Sequence, residues 1–225
     1  LNYLALLGWS PEEDGAEFLN SSELINRFSL NRVNKTPAVF DKDKLNWLNR
    51  QYLRRLTPGE LVELVVPYLV SLKRITLPIS PVVQHWLEAL VKDFQKYLEK
   101  ASDIVDLTAV IFDFCPERDL TIEETDSFSI EETSYKVLLE LQRQTSGMEL
   151  LTVKAMEWVL SSIKETVGVS GKDLFHPVRM ALTGKSSGPD LKLLVPLIES
   201  GSRLNLKPPI PGVAERVSRM LAHLA

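Results

Sequence analysis

Along this chain, small polar residues repeatedly stand just ahead of apolar runs spaced three and four residues apart. Asn20 precedes SELINRF with Glu23 three places on. That is a capping box: the cap side chain takes the backbone N–H at the third helical position, and the acid takes the cap's own N–H. Asp41 stands before KDKLNWLNRQYLRRL, whose Leu45, Leu48, Tyr52, Leu53 and Leu56 recur at helical spacing. Thr57-Pro58-Gly59-Glu60 joins a cap, a proline at the first helical position and an acid at the third. Ser80-Pro81 repeats the device before VVQHWLEALVKDFQKYL, and Ser129 with Glu132 opens a further helix to about residue 144. Thr152 starts VKAMEWVLSSIKETV, which Gly168 stops. Pro177, Pro189 and Pro211 stand where other helices can begin. The strand candidates ITLPIS and AVIFDF are too short or too proline-bound. An all-α protein of consecutive helical bundles is expected. Breaks at Leu56-Thr57 and in the acidic, poorly periodic PERDLTIEETDS (116–127) divide it into three modules, 1–56, 57–127 and 128–225.

Several function classes fall away on composition. No run approaches the roughly 18 apolar residues of a membrane span, so no membrane partner is expected. The start, LNYLALLGWSPEED, has neither a basic leader nor a cleavage site. It opens inside a helical pattern, so Leu1 is expected to be an internal residue of a larger protein. Cys115 is the single cysteine, which excludes an intrachain disulfide and suits a reducing compartment, the cytoplasm. His85, His176 and His223 have no paired spacing, so no metal site is expected. No histidine has a sequence-evident catalytic partner. Trp9, Trp47, Trp86 and Trp158 sit among helix-spaced apolar residues and are expected in the core.

Charge is unevenly placed. Residues 30–75 carry nine basic and four acidic side chains, whereas 99–132 carry eleven acidic and two basic ones. The net charge of −4 argues against general nucleic-acid affinity, and DNA binding is not expected. The basic flanks can still attract a phosphate backbone while the acidic middle faces water. Solvated helix faces would give the same pattern.

Gly184-Lys185-Ser186 looks like the end of a phosphate-binding loop. Such a loop needs a glycine five residues before Gly184, so that successive N–H groups can turn toward the phosphates. That position holds Arg179, and the preceding Val178–Leu182 reads as helix, not strand. The arginine, the glycine turn and the closing Pro189 need another explanation.

Three ordered blocks supply one: NYLALLGWSPEED, ELINRFSLNRVNKTPAVFDKDKLNWLNRQYLR and HPVRMALTGKSSGPDLKLLVPLIE. Together they resemble bacterial-type glutamyl-tRNA synthetase downstream of its catalytic nucleotide-binding fold. The resemblance implies a stem-contact module (1–56) followed by two anticodon-binding helical domains (57–127 and 128–225). It also implies the C-terminal half of an ATP-dependent ligase that charges tRNA(Glu) with glutamate. The family's ATP signatures, His-x-Gly-His and Lys-Met-Ser-Lys-Ser, are absent here. ATP and Mg are therefore expected to belong to a part outside these residues. This stretch alone is expected to be inactive, to need no cofactor and to be monomeric.

The resemblance assigns residues as well. Arg179, in Pro177-Val178-Arg179, matches the arginine that contacts the first anticodon base. Gly188 and Pro189 match the turn that presents backbone groups to the second base, and Leu191 matches the leucine on which a base packs. A helix starting at Pro189 would aim free N–H groups at the RNA. Discriminating members read the third base with an arginine ahead of a segment like Asp103–Thr108. The matching position here is Tyr97, or Lys96 if the alignment slips by one. Tyrosine stacks on any base but lacks the guanidinium fork, so relaxed reading and acceptance of tRNA(Gln) are expected. Lys35, Lys44, Arg50 and Arg54 are the candidates for stem phosphates. A helical protein-interaction module without RNA binding is the alternative reading, and a free-standing enzyme a third.

Overall fold

The computed structural model describes residues 1–11, 16–35, 37–119, 132–148 and 151–224. Helix starts in it follow the local caps. Asn20 and Thr57 form complete capping boxes ahead of α2 (Ser21–Arg27) and α4 (Pro58–Ser71). Asp41 takes the N–H groups of Asp43 and Lys44 to open α3 (Lys42–Leu53). Ser80 caps α5 (Pro81–Phe94), and Thr152 caps α9 (Val153–Val167). Gly168 ends α9 in the left-handed region at φ 78°. The remaining helices are α1 (Asn2–Gly8), α6 (Ile104–Phe112), the single turn α7 (Pro116–Asp119), α8 (Glu132–Thr145), α10 (Lys172–Thr183), α11 (Leu191–Ser202) and α12 (Val213–Leu224). Among the described residues the one β feature is an isolated bridge between Trp9 and Val33. The all-α expectation is met. Ser129 and most of the 116–127 break lie outside the described residues.

Four expectations need correction. Pro177 lies inside α10, one and a half turns from its start, and is buried there. Its missing N–H leaves the carbonyl four residues back without a helical partner, and packing outweighs that loss. Pro189 does not begin a helix: Asp190 caps α11, which starts at Leu191. Pro211 likewise stands two residues short of α12. Of the tryptophans, Trp9 and Trp86 are buried, but Trp47 and Trp158 are 39% and 61% exposed. Trp158 occupies the face of α9 opposite Met156 and Ile163, which carry the core.

Packing divides the chain unevenly. Helices α4, α5 and α6 pack on one another, and α8 is surrounded by α9, α10 and α12. Helix α11 touches α5, α6, α9 and α12, so a single apolar cluster runs from Leu53 to Leu221. The α5–α11 crossing is close because Gly201 has no side chain: a Cβ there would lie 2.9 Å from the ring of Trp86. The Trp86 indole N–H donates to Leu197 O at 3.1 Å across the same crossing. Around α1 and α2 a second, small cluster of Trp9, Leu19 and Leu24 forms among the described residues, while α3 sends Leu53 into the larger one.

Arg216 ties the larger body together. It is fully buried on α12. Its Nη1 donates to Val110 O and Leu182 O and its Nη2 to Ile111 O, all at 2.6 Å. Nε donates to Pro211 O at 2.9 Å, and the guanidinium lies 4.6 Å from the Phe114 ring centroid. Val110 and Ile111 lie in the last turn of α6, and Leu182 in the last turn of α10. Carbonyls at helix C-termini lack intrahelical donors and carry the negative end of the dipole. Two helix ends thus share one cation, although burial pulls its pKa down to about 9. The cation joins residues before and after the 127/128 boundary.

Candidate nucleic-acid interface

Helix α10 ends in a turn built around Arg179. Thr183, its last residue, donates its hydroxyl to Arg179 O at 2.7 Å and accepts the Lys185 N–H at 3.2 Å. Gly184 adopts φ 66° and returns its N–H to Met180 O at 2.8 Å. Gly184-Lys185 is therefore a helix C-terminus, where carbonyls point outward. That is the wrong polarity for cradling phosphate, and it removes the nucleotide-loop reading. The chain then passes Gly188, whose φ of 151° favours glycine and whose absent Cβ would lie 3.7 Å from Arg179 Nη1. Arg179 Nη1 donates to Pro189 O at 2.8 Å. Asp190 caps α11 by accepting the Lys192 N–H at 2.9 Å.

Arg179, Gly188, Pro189 and Leu191 are thus brought together. Arg179 and Leu191 line one pocket of about 160 Å³ with Val153, Met156, Phe175 and Lys192. Phe175 is half exposed and stands four residues before Arg179 on the same face of α10. That spacing was the signal that would have marked it. Lys192 pairs with Glu157 at 2.8 Å, and this bond raises its pKa. Asp190 also lines the pocket, with a carboxylate oxygen engaged by the cap. Among the described residues no acid pairs with Arg179, so its remaining donors are open to a ligand. A planar cation beside an apolar pocket, an exposed aromatic ring and fixed carbonyls can hold a flat polar ring. The guanidinium supplies edge donors or a stacking plane, and Phe175 and Leu191 supply the apolar face.

Lys96 and Tyr97 lie in a 3-10 turn, Gln95–Tyr97, after α5. The Lys96 ammonium sits 4.8 Å from the Tyr97 ring centroid, and the ring is 42% exposed. Val82 and Val83 at the start of α5 line a pocket with Arg203 and Leu204, while Trp86, a turn later, meets Leu197 and Gly201. Helices α5 and α11 therefore run antiparallel. The end of α5 that carries Lys96 and Tyr97 points the same way as the end of α11 that carries Asp190 and Leu191. Behind Lys96, burial raises the pKa of Asp93, and Lys92 and Lys96 pull it back.

The four stem candidates separate into two kinds. Lys44 pairs with Glu17 at 2.7 Å. Arg50 pairs with Glu99, whose backbone oxygen also takes the Asn49 side-chain amide. Gln95 donates to Leu53 O and Leu56 O at 2.8 and 2.9 Å. Arg50 therefore helps clamp α3 to the segment carrying Lys96 and Tyr97. Its acid stands 49 residues away and was not foreseen. Lys35 and Arg54 are exposed. No ion pair engages either among the described residues.

These helices and this turn match a family of RNA readers. The model of the anticodon binding domain matches residues 60–204, and the chain belongs to that family. Curated relatives are more particular. The chain is 35% identical over 200 residues to glutamate–tRNA ligase 1 of Caldicellulosiruptor saccharolyticus, covering 88% of this chain and 40% of the relative. It is 30% identical over 205 residues to the glutamate–tRNA ligase of Listeria monocytogenes, covering 91% of this chain and 41% of the relative. The match falls on the C-terminal portion of these ligases, so the chain spans about 40% of their length. In fold it is similar to a glutamate–tRNA ligase from Elizabethkingia meningosepticum, at TM-score 0.76 and 21% identity over 99% of this chain and 40% of that one.

Proposed function

We propose that this chain is the tRNA-holding portion of a glutamate–tRNA ligase, reading the anticodon loop of tRNA(Glu) while another part of the protein performs the chemistry. The observation that carries the reading is Arg179, a guanidinium beside an apolar pocket, pinned to Pro189 O and paired with no acid among the described residues. Single-stranded loop bases can be splayed into such a site, stacked, and bonded along their edges. Arg179 and the Gly188–Leu191 turn would take the first two anticodon bases. Lys35 and Arg54 would position stem phosphates, with Lys44 and Arg50 joining only by giving up Glu17 and Glu99. Phosphate contacts of this kind orient the RNA without reading it. In this reading glutamate, ATP and Mg are handled outside these 225 residues, which alone do not aminoacylate. The compartment is the cytoplasm, where tRNA charging takes place.

The test is binding of an anticodon stem-loop. Arg179→Ala should weaken it at least tenfold, about 1.4 kcal/mol, without changing the fold measured by circular dichroism. Unchanged affinity would end the assignment. At the third base, Tyr97 offers a stacking face with no fork of donors. Two tRNAs differing only there should bind within about tenfold of one another, the size of one good base contact, and tRNA(Gln) should be accepted. A larger preference would point to Lys96 or another reader.

A further inference from the structure

The pocket beside Arg179 has an apolar floor and a charged rim. Met156, Leu191 and Val195 line it and are buried. The lining side chains that reach water differ in kind. Glu157 on α9 and Lys192 on α11 are 51% and 66% exposed, and they pair at 2.8 Å. With Arg179 and Asp190, the rim carries two cations and two acids and is neutral as a whole. The Glu157–Lys192 bond is not a helix-face pair. Arg219–Glu215 and Lys136–Glu132 join residues four apart on one helix, where helical spacing supplies the partner. Glu157 and Lys192 stand 35 residues apart and join two of the three helices that wall the pocket. Both side chains are exposed, so the bond contributes little to stability and opens readily. An ammonium on a flexible stem can turn to another anion without moving the backbone.

A base that enters this pocket does not come alone. Its sugar ties it to phosphates, and these stay at the rim because an apolar floor offers a charge nothing in place of water. Arg179 has one donor committed to Pro189 O, and the reading above gives its others to the base. Lys192 is the other cation of the rim. We infer that Lys192 takes a backbone phosphate of the nucleotide whose base occupies the pocket, exchanging Glu157 for it. The ligand at this position is a phosphodiester of a single-stranded RNA loop. Glu157 is the competing anion: its bond must open, and its carboxylate then faces the phosphate. Opening also draws a salt cation to Glu157, which offsets the counterion that the phosphate releases. Lys44 with Glu17 and Arg50 with Glu99 are held by distant acids in the same way. The inference rests on the anticodon reading above and adds a phosphate contact to it.

The test is a salt series of binding to an anticodon stem-loop, read for the sign of each change. Lys192→Gln should weaken binding about fourfold near physiological salt and flatten the slope of log K against log salt by about 0.7, one phosphate contact on a single strand. Glu157→Gln should do the opposite, tightening binding by about twofold to fourfold and steepening the slope by up to about 0.7. Lys192→Arg should keep the parent's affinity, since either cation can bond a phosphate. Both positions are exposed, so neither variant should lose the fold. A bond that only fastens α9 to α11 is lost equally from either side. Both Gln variants would then shift binding in one direction or not at all, and either result overturns the inference. Arg179→Ala separates the two readings. If it weakens the loop while both Gln variants bind as the parent does, the anticodon reading stands and the phosphate contact falls. If the Gln variants shift in opposite directions and Arg179→Ala changes nothing, the phosphate contact stands and the anticodon reading falls. A parent that binds no loop removes both.

Discussion

Helices α1 to α3 and helices α4 to α12 are built on opposite plans. The first region is held by polar ties from Asn2 and Tyr3 around a three-residue core and leaves Leu1, Leu4, Ile25 and Phe28 in water. The second shares one apolar cluster running to Leu221, which Leu53 at the end of α3 joins, and buries even a guanidinium within it. A region that encloses its own core is stable by itself. A region with its apolar side turned out draws less from its own burial. The two also differ in how RNA can be met. The first offers two cations bound to acids, Lys44 to Glu17 and Arg50 to Glu99, beside the exposed Lys35 and Arg54. The second offers, at a pocket, an arginine that no acid pairs among the described residues.

The largest test of this contrast is Arg216. Arg216→Met would leave four buried carbonyls without donors, and about 3–5 kcal/mol of stability should be lost. Urea unfolding checks this, and a loss below about 1 kcal/mol would mean that α6 and α10 do not depend on the shared cation. Next come matched leucines. Leu90→Ala, in the shared core, should cost about 3–4 kcal/mol, and Leu24→Ala, in the three-residue core, about 2 kcal/mol or less. Equal costs would erase the distinction between the regions. Arg179→Ala should cost no more than about 1.5 kcal/mol, the worth of its bond to Pro189 O, which leaves the protein folded so that its effect on stem-loop binding is read cleanly.

The smallest effect concerns Glu140 on α8. Bonds from Arg143 and Gln144 hold its carboxyl at about 2 against an ordinary 4.5. A depressed carboxylate pKa stabilises the fold above the unfolded value and loses that contribution as pH falls toward the folded one. Glu140→Gln should therefore lower stability by roughly 0.5 kcal/mol at neutral pH, since Arg143 is largely exposed. The difference from the parent should fade as pH drops from 4.5 to about 2. A pH-independent difference would show that only the hydrogen bonds matter.

Much of the fold was legible in the sequence because it is local. Asn20, Asp41, Thr57, Ser80 and Thr152 bond to N–H groups two or three residues on, so the information lies within one turn. Pro177 misled for the converse reason. A proline reads as a boundary, and only the packing of α10, which buries it, overrides that. Trp47 and Trp158 show the limit of periodicity: a helix can carry an aromatic on either face, and its neighbours decide which is covered. Part of the site was legible too, since Arg179, Gly188, Pro189 and Leu191 span thirteen residues joined by one turn. The ion pairs of Lys44 and Arg50 were not, because Glu17 and Glu99 stand 27 and 49 residues away.

The sequence by itself determined that the chain is helical, where most helices begin, and that Gly184-Lys185-Ser186 cannot be a nucleotide loop with Arg179 in place of glycine. Tertiary structure alone decided which cations stay free and which apolar side chains stay uncovered. It also decided that one buried arginine on α12 would close the C-terminal ends of α6 and α10. Caps and turns are settled by bonds within a few residues, whereas charge pairing and burial depend on groups that only the folded chain brings together.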